Sequence, residues 1–206
     1  MSAPTLYGDP ASGNCLKVKW VAAHLGIPTV WKTISVIAGD ARTADFLAVN
    51  PAGKVPVLVL EDGTVLSESN AIMIYLAEGS ALIPADAVQR AQMLQWMFWE
   101  QYSHEPNIAT RRYRLAFLRQ AESGLDPGLL DRGHAALARM QAALQHHPFI
   151  VGHTMTLADI ALVAYTRMAH EGGFALSPYP AIGAWIGRVE ADLGIGRYHP
   201  EPAPTG

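Results

Sequence analysis

Asn50-Pro51-Ala52-Gly53-Lys54-Val55-Pro56-Val57-Leu58-Val59-Leu60, followed after a turn by Thr64-Val65-Leu66 and then Glu68-Ser69, governs how the rest of this chain is interpreted. The run from Val57 to Leu60 is apolar and valine-rich, as a buried strand is. Asp62 and Gly63 supply the turn chemistry between two strands. Pro56 has no N–H to give to a ladder, so it belongs at a strand edge or start. An X-Pro bond is also the one place where a cis peptide costs little, about 0.5–1 kcal/mol. The expectation is that Val55-Pro56 turns the Val55 N–H and C=O outward, to pair with a ligand. Glu68-Ser69 opens an amphipathic run and reads as a helix start.

On the N-terminal side, Thr5-Leu6-Tyr7 reads as a first strand, and the turn-rich Gly8–Gly13 comes after it. From Asn14 the apolar spacing is helical, with Val18, Val21, Ala22 and Leu25 on one face. Gly26 suits the position just past that helix, and Pro28 prevents its continuation. Val30 to Val36 reads as a second strand, Thr43 to Val49 as a short helix, and Ser69 to Ala77 as a third helix. Residues 1–79 therefore run β-α-β-α-β-β-α, and residues 80–85 form a linker containing Pro84.

Residues 86–206 show no strand pattern before the tail. Ala87 to Leu118 reads as a long aromatic helix that Pro106 kinks or ends. A helix starts near Pro127 and runs to about His146. Thr156-Leu157-Ala158-Asp159 has the form of a capping box. The residues after it are apolar nearly all round, which describes a central buried helix. A last helix runs from Ile182 to about Leu193, and the proline-rich tail is expected to fray.

Composition narrows the function classes. The 206 residues are 50% hydrophobic and only 16% charged, which points to heavily buried helices and an oligomer contact. A net charge of −3 with no basic run gives no general attraction to nucleic acid. No stretch is long and apolar enough for a membrane helix, and the N-terminus does not read as a secretory signal. The lone Cys15 excludes an internal disulfide and a cysteine-based metal site, and it fits a reducing cytosol. Eight histidines show no ligand spacing, so no metal is expected. There is no phosphate loop and no dinucleotide glycine fingerprint.

A β-α-β-α-β-β-α domain with Val55-Pro56 before its third strand resembles a thioredoxin-like fold. Joined to an all-helical domain, it resembles the soluble glutathione transferase family of bacterial type. Three motifs carry the resemblance in order: Val55-Pro56, Glu68-Ser69, and Thr156-Leu157-Ala158-Asp159. The likeness covers essentially the whole chain. It implies glutathione as co-substrate, no tightly bound cofactor, a cytoplasmic homodimer, and a small hydrophobic electrophile in a cleft between the domains.

The resemblance also implies roles. Glu68 would accept from the glutamyl ammonium of glutathione, and Ser69 would hold its carboxylate at a helix N-terminus. Val55, beside Pro56, would pair through its backbone with the cysteinyl part, as an added strand does. Lys54 would meet the glycyl carboxylate. Ser12 matches the activating serine of serine-type branches such as theta-like and zeta-like transferases, and Asn14 would donate an amide N–H or cap the first helix. Tyr7 and Cys15 stay open as alternatives at the thiol. Cys15 would make the protein a thiol-disulfide oxidoreductase instead. A non-catalytic glutathione-binding module is the remaining alternative. Tyr102, His104, Ile108 and Arg111 are the expected lining of the second-substrate pocket.

Overall fold

The computed structural model describes residues 3–198. The proline-rich tail, Pro200–Gly206, lies outside the described residues. The chain divides into two compact units, Met1–Met93 and Leu94–Gly206.

The first unit is a four-stranded sheet with helices on both faces. Its elements are β1 (Thr5–Gly8), α1 (Gly13–His24), β2 (Val30–Thr33), α2 (Ala44–Val49), β3 (Val57–Val59), β4 (Val65–Ser67) and α3 (Ser69–Leu76). The strand order is β2-β1-β3-β4. β1 and β2 are parallel, while β3 runs antiparallel to both β1 and β4. Alternation along the strands builds two cores. Tyr7 and Val57 point to the α2 face, where they pack with Phe46 and Ala41. Leu6 and Leu58 are fully buried on the other face, which α1 and α3 cover.

Local chemistry sets the helix ends. Thr43 caps α2 by accepting from the Phe46 N–H. Gly26 comes after α1 with φ 66°, as expected of the residue just past a helix. The second strand is shorter than its β-branched sequence suggests, ending at Thr33 rather than Val36. The reason is a competition for donors. The Ser35 N–H goes to the Asp40 carboxylate at 2.8 Å and the Val36 N–H to the Asp9 carboxylate at 2.9 Å, so the chain turns away from the sheet.

The second unit contains no strand among the described residues. The α4 helix (Ala87–Trp99) begins in the first unit and enters the second. It is followed by α5 (Glu105–Arg112), α6 (Gly128–Leu144), α7 (Leu157–Thr166) and α8 (Pro180–Leu193). The helical run expected over 87–118, kinked or ended at Pro106, is interrupted. Glu100–His104 and Tyr113–Phe117 are π-helical turns on either side of α5. Pro106 lacks the N–H that a regular helix would need, and the π turn just before it absorbs the defect. The Asn107 side chain donates to the Ser103 carbonyl at 2.6 Å, which satisfies a carbonyl at the irregularity.

Every residue of α7 is buried, as its all-apolar sequence requires. Its start is a true capping box: Thr156 and Asp159 exchange hydrogen bonds with each other's backbone. Asp159 does more than cap. Its carboxylate also accepts from the Ile150 N–H and from Trp185 Nε1, each at 2.8 Å, tying α7 to α8 and to the loop before it.

Candidate functional site

The register of the first unit gathers the expected site residues at one end of the sheet. Tyr7 is opposite Val57, and Val57 is opposite Ser67. The chain leaving β1 towards Ser12, the chain entering β3 at Val55, and the chain leaving β4 at Glu68 therefore share one edge. From this edge both α1 and α3 start, so two positive helix ends face the same region. Neither helix has an acidic residue in its first turn to neutralise it. The closeness is direct: the Ser69 hydroxyl donates to Asn14 Oδ1 at 3.1 Å, across 55 positions of sequence.

Val55 lies outside the ladder, which begins at Val57. Among the described residues, neither its N–H nor its C=O has a hydrogen-bond partner. The Val55-Pro56 bond is cis. The approach to Val55 is shaped by Asn50, whose amide donates to the Lys54 carbonyl at 2.8 Å. Gly53 has φ 59°, and a Cβ there would strike the Ala41 carbonyl and the Arg42 side chain, so only glycine fits. The Lys54 side chain is exposed at this edge.

Glu68 sits at the start of α3 with φ 68° and ψ 110°. A residue with a Cβ rarely adopts this conformation, and holding it there costs of order 1–3 kcal/mol. Its side chain does not cap the helix and is exposed. Ser69 beside it is buried, 5% exposed.

At the α1 end, Ser12 occupies the cap position, yet its side chain makes no capping bond. Its hydroxyl is close enough to the Cys15 sulfur to act on it, and that sulfur accepts from the Asp9 N–H at 3.3 Å. Cys15 is fully buried, and burial pushes its thiol up to about 11. A neutral, inaccessible thiol is a small hydrophobe and no nucleophile. Tyr7 faces the α2 side, where its ring packs near Phe46 and its hydroxyl meets Lys32 Nζ at 3.4 Å.

One organising residue is not evident from sequence. Asp9 is buried, and its carboxylate accepts from the Ala11 and Val36 N–H groups at 2.8 and 2.9 Å. It thereby fixes the loop that carries Ser12. Asp before Pro at a strand end is a turn signal, and that is the one hint its sequence carries.

The four residues expected to line a second-substrate pocket do not stay together. Tyr102 is 86% exposed, whereas His104 and Ile108 are fully buried and Arg111 nearly so. His104 Nε2 is 2.9 Å from the Thr166 hydroxyl, and Arg111 Nε donates to the Gly172 carbonyl at 2.7 Å while its guanidinium pairs with Glu122. These three residues brace the helical unit from inside. The physical cause is helical spacing: His104, Ile108 and Arg111 stand at i, i+4 and i+7 on one face, whereas Tyr102, two residues before His104, points about 200° away. A groove of about 620 Å³ in this unit is lined instead by Trp99, Tyr102, Ser103, Pro106, Arg132 and Arg139, among others. The Arg139 guanidinium stacks on Trp96 and Trp99, at 4.7 and 4.5 Å from the ring centres.

Comparison with known proteins matches both halves. Residues 11–78 fit the family described as glutathione S-transferase, N-terminal domain, and residues 120–192 fit glutathione S-transferase, C-terminal domain. A solved glutathione S-transferase from Pseudomonas fluorescens Pf-5 is 47% identical, with a TM-score of 0.89 over 97% of this chain and 98% of that one. A glutathione transferase homolog from Drosophila mojavensis, solved with bound glutathione, is 27% identical, with a TM-score of 0.83 over 92% of this chain and 88% of that one. Glutathione S-transferase 2 of Anopheles gambiae is 32% identical over 185 residues, which are 87% of this chain and 86% of the relative. With both domain types matched in order and a relative aligned along most of its length, the chain belongs to the glutathione S-transferase family.

Proposed function

We propose that this protein binds glutathione across the shared edge of the first unit and ionises its thiol for attack on a small hydrophobic electrophile. The observation that carries the reading is the Ser69–Asn14 bond, which joins two helix N-termini beside a backbone segment left open at Val55. An extended peptide would add to that segment as a strand. The glutamyl carboxylate would take the N–H groups at the start of α3, with Glu68 accepting from the ammonium. Lys54 would meet the glycyl carboxylate.

A free thiol has a pKa near 8.5, so only a few per cent is ionised at neutral pH. Lowering it by about two units takes roughly 2.7 kcal/mol of preference for the thiolate. A hydroxyl from Ser12, an amide N–H from Asn14 and the positive end of α1 are the groups at hand, which is the pattern of the serine-type, theta-like and zeta-like branch. The thiolate sulfur then forms a bond to an electrophilic carbon, and the leaving group departs with its electron pair. The burial of Cys15 argues against a mechanism through that residue. A reducing compartment such as the cytoplasm suits this chemistry. Among the described residues, no helix is long and apolar enough to cross a membrane.

A two-fold pair of chains belongs to the same proposal. Phe98 and Tyr102, four residues apart on one helical stretch, are 73% and 86% exposed, an apolar stripe that a second copy would cover. Light scattering that returns a monomer at micromolar concentration would remove this part. The central test is glutathione affinity by calorimetry alongside turnover on aryl halides, epoxides and peroxides. Binding with turnover supports the transferase. Binding without turnover on any of them points to a binding module, and no binding refutes the reading.

A further inference from the structure

We infer that Val36 and Ile37 form an apolar contact for the second substrate beside Ser12, and that Asp9 is the positioning residue that holds them there. The inference rests on the glutathione-binding reading above. In the helical unit His104, Ile108 and Arg111 are buried, so they offer an electrophile no surface. The first unit offers one. β1 and β2 are parallel, with Gly8 opposite Thr33, so the loops leaving them emerge at the same edge of the sheet. One loop carries Ser12, and the other carries Val36 and Ile37.

The Asp9 carboxylate joins the two loops. One of its oxygens accepts from the Ala11 N–H at 2.8 Å and the other from the Val36 N–H at 2.9 Å. Both donors are backbone N–H groups and a carboxylate accepts, so the sense of each bond is fixed. The Asp9 carbonyl also accepts from the Ser12 N–H at 3.0 Å. Asp9 is buried, so water competes little for these bonds.

The second loop is closed on itself. The Ser35 N–H donates to Asp40 Oδ2 at 2.8 Å, the Asp40 N–H to the Ser35 carbonyl at 3.0 Å, and the Ala38 N–H to Ser35 Oγ at 3.2 Å. Gly39 takes the left-handed conformation that this closure needs, at φ 85°. A surface loop of this kind is ordinarily polar. This one presents Val36 and Ile37, 39% and 55% exposed. An apolar pair already fixed in place gives contact area at little cost in ordering. A small hydrophobic electrophile, bonding to a sulfur near Ser12, is the ligand chemistry that such a surface suits.

The test uses glutathione carrying a linear alkyl chain on its sulfur, from methyl to hexyl, titrated by calorimetry. The chain occupies the place of the electrophile without requiring turnover. A methylene taken fully from water adds about fourfold to affinity, and one covered on a single side about twofold. Wild type is therefore expected to gain roughly thirtyfold from methyl to hexyl. The double variant Val36→Ser, Ile37→Ser is expected to gain no more than about sixfold, half the wild-type slope on a logarithmic scale. It should still bind plain glutathione within about twofold of wild type, because both changes are at exposed positions. Asp9→Asn leaves a single acceptor oxygen for the two N–H groups. It is expected to lose the same share of the chain-length gain with Val36 and Ile37 intact. A full gain in the double variant, or no gain in wild type, overturns the contact and leaves the binding reading standing. A full gain in Asp9→Asn, including one in which every ligand weakens equally, overturns its positioning role. A double variant whose number of chains changes in light scattering marks the pair as a contact between copies and also overturns the inference. A wild-type protein that binds no glutathione refutes the binding reading and this inference with it.

Discussion

Replacing Glu68 by glycine should move stability and affinity in opposite directions. Glu68 is held at φ 68° and ψ 110°, where a side chain is disfavoured. Relieving that strain is worth about 1.5 kcal/mol, the lower half of the range for such outliers. Glycine gives back about 0.5 kcal/mol through the greater freedom of the unfolded chain. The net gain is about 1 kcal/mol, a rise of roughly 2–4 °C in melting temperature for a chain of this length. The same change removes the carboxylate proposed to hold the glutamyl ammonium. That contact is charge-assisted but exposed, so about 1–2 kcal/mol, or a five- to thirtyfold weakening, is expected. Glu68→Ala is the control. It keeps a Cβ and therefore the strain, while losing the same carboxylate. Differential scanning calorimetry and glutathione titration on the three proteins give both readouts. A glycine variant that melts at or below wild type refutes the strain argument. One that binds glutathione as tightly as wild type refutes the role of the carboxylate.

Two further outcomes are expected elsewhere in the chain. Asp159→Ala strips the acceptor from the buried N–H groups of Ile150, Thr156 and Trp185, so a loss of at least about 3 kcal/mol should appear as a lower urea midpoint; a loss under about 1 kcal/mol would mean that those donors find other partners. Cys15→Ala should retain conjugating activity. In the wild-type protein the thiol keeps its proton in the folded state up to about pH 11, while the unfolded chain releases it near 9. The folded state then binds the extra proton, so stability should fall by about 1.4 kcal/mol per pH unit across that window, and Cys15→Ala should lack this component.

Much of the first unit was legible because its signals are local. Pro56 marked the start of β3, Asp62-Gly63 marked the hairpin turn, and Gly26 marked the end of α1. The capping box at Thr156 was legible for the same reason, since its partners are three residues apart. The features that stayed hidden depend on distant partners. The β-branched run at Val30 predicted a longer strand, but the carboxylates of Asp9 and Asp40 took its donors. The Asn14–Ser69 bond joins two residues that each read as an ordinary helix start, and nothing in either stretch names the other. The positive φ of Glu68 had no signal at all, because glutamate is not a residue that favours it. In the helical unit, the family resemblance puts Tyr102, His104, Ile108 and Arg111 together in one pocket, and periodicity plays no part in assigning their directions. His104, Ile108 and Arg111 share the interior face of the helix, where His104 meets Thr166 and Arg111 meets Gly172 and Glu122.

The burial of Cys15 has a practical side. It is the only cysteine in 206 residues, and its thiol is inaccessible at neutral pH. A cysteine introduced at an exposed position such as Phe98 or Tyr102 would therefore take up a maleimide fluorophore or a nitroxide alone, with no cysteine-free parent to build first. A single probe at either position would sit on the stripe that a second copy is proposed to cover. Its emission or its spin–spin coupling would then track subunit exchange in real time, in a protein otherwise unaltered.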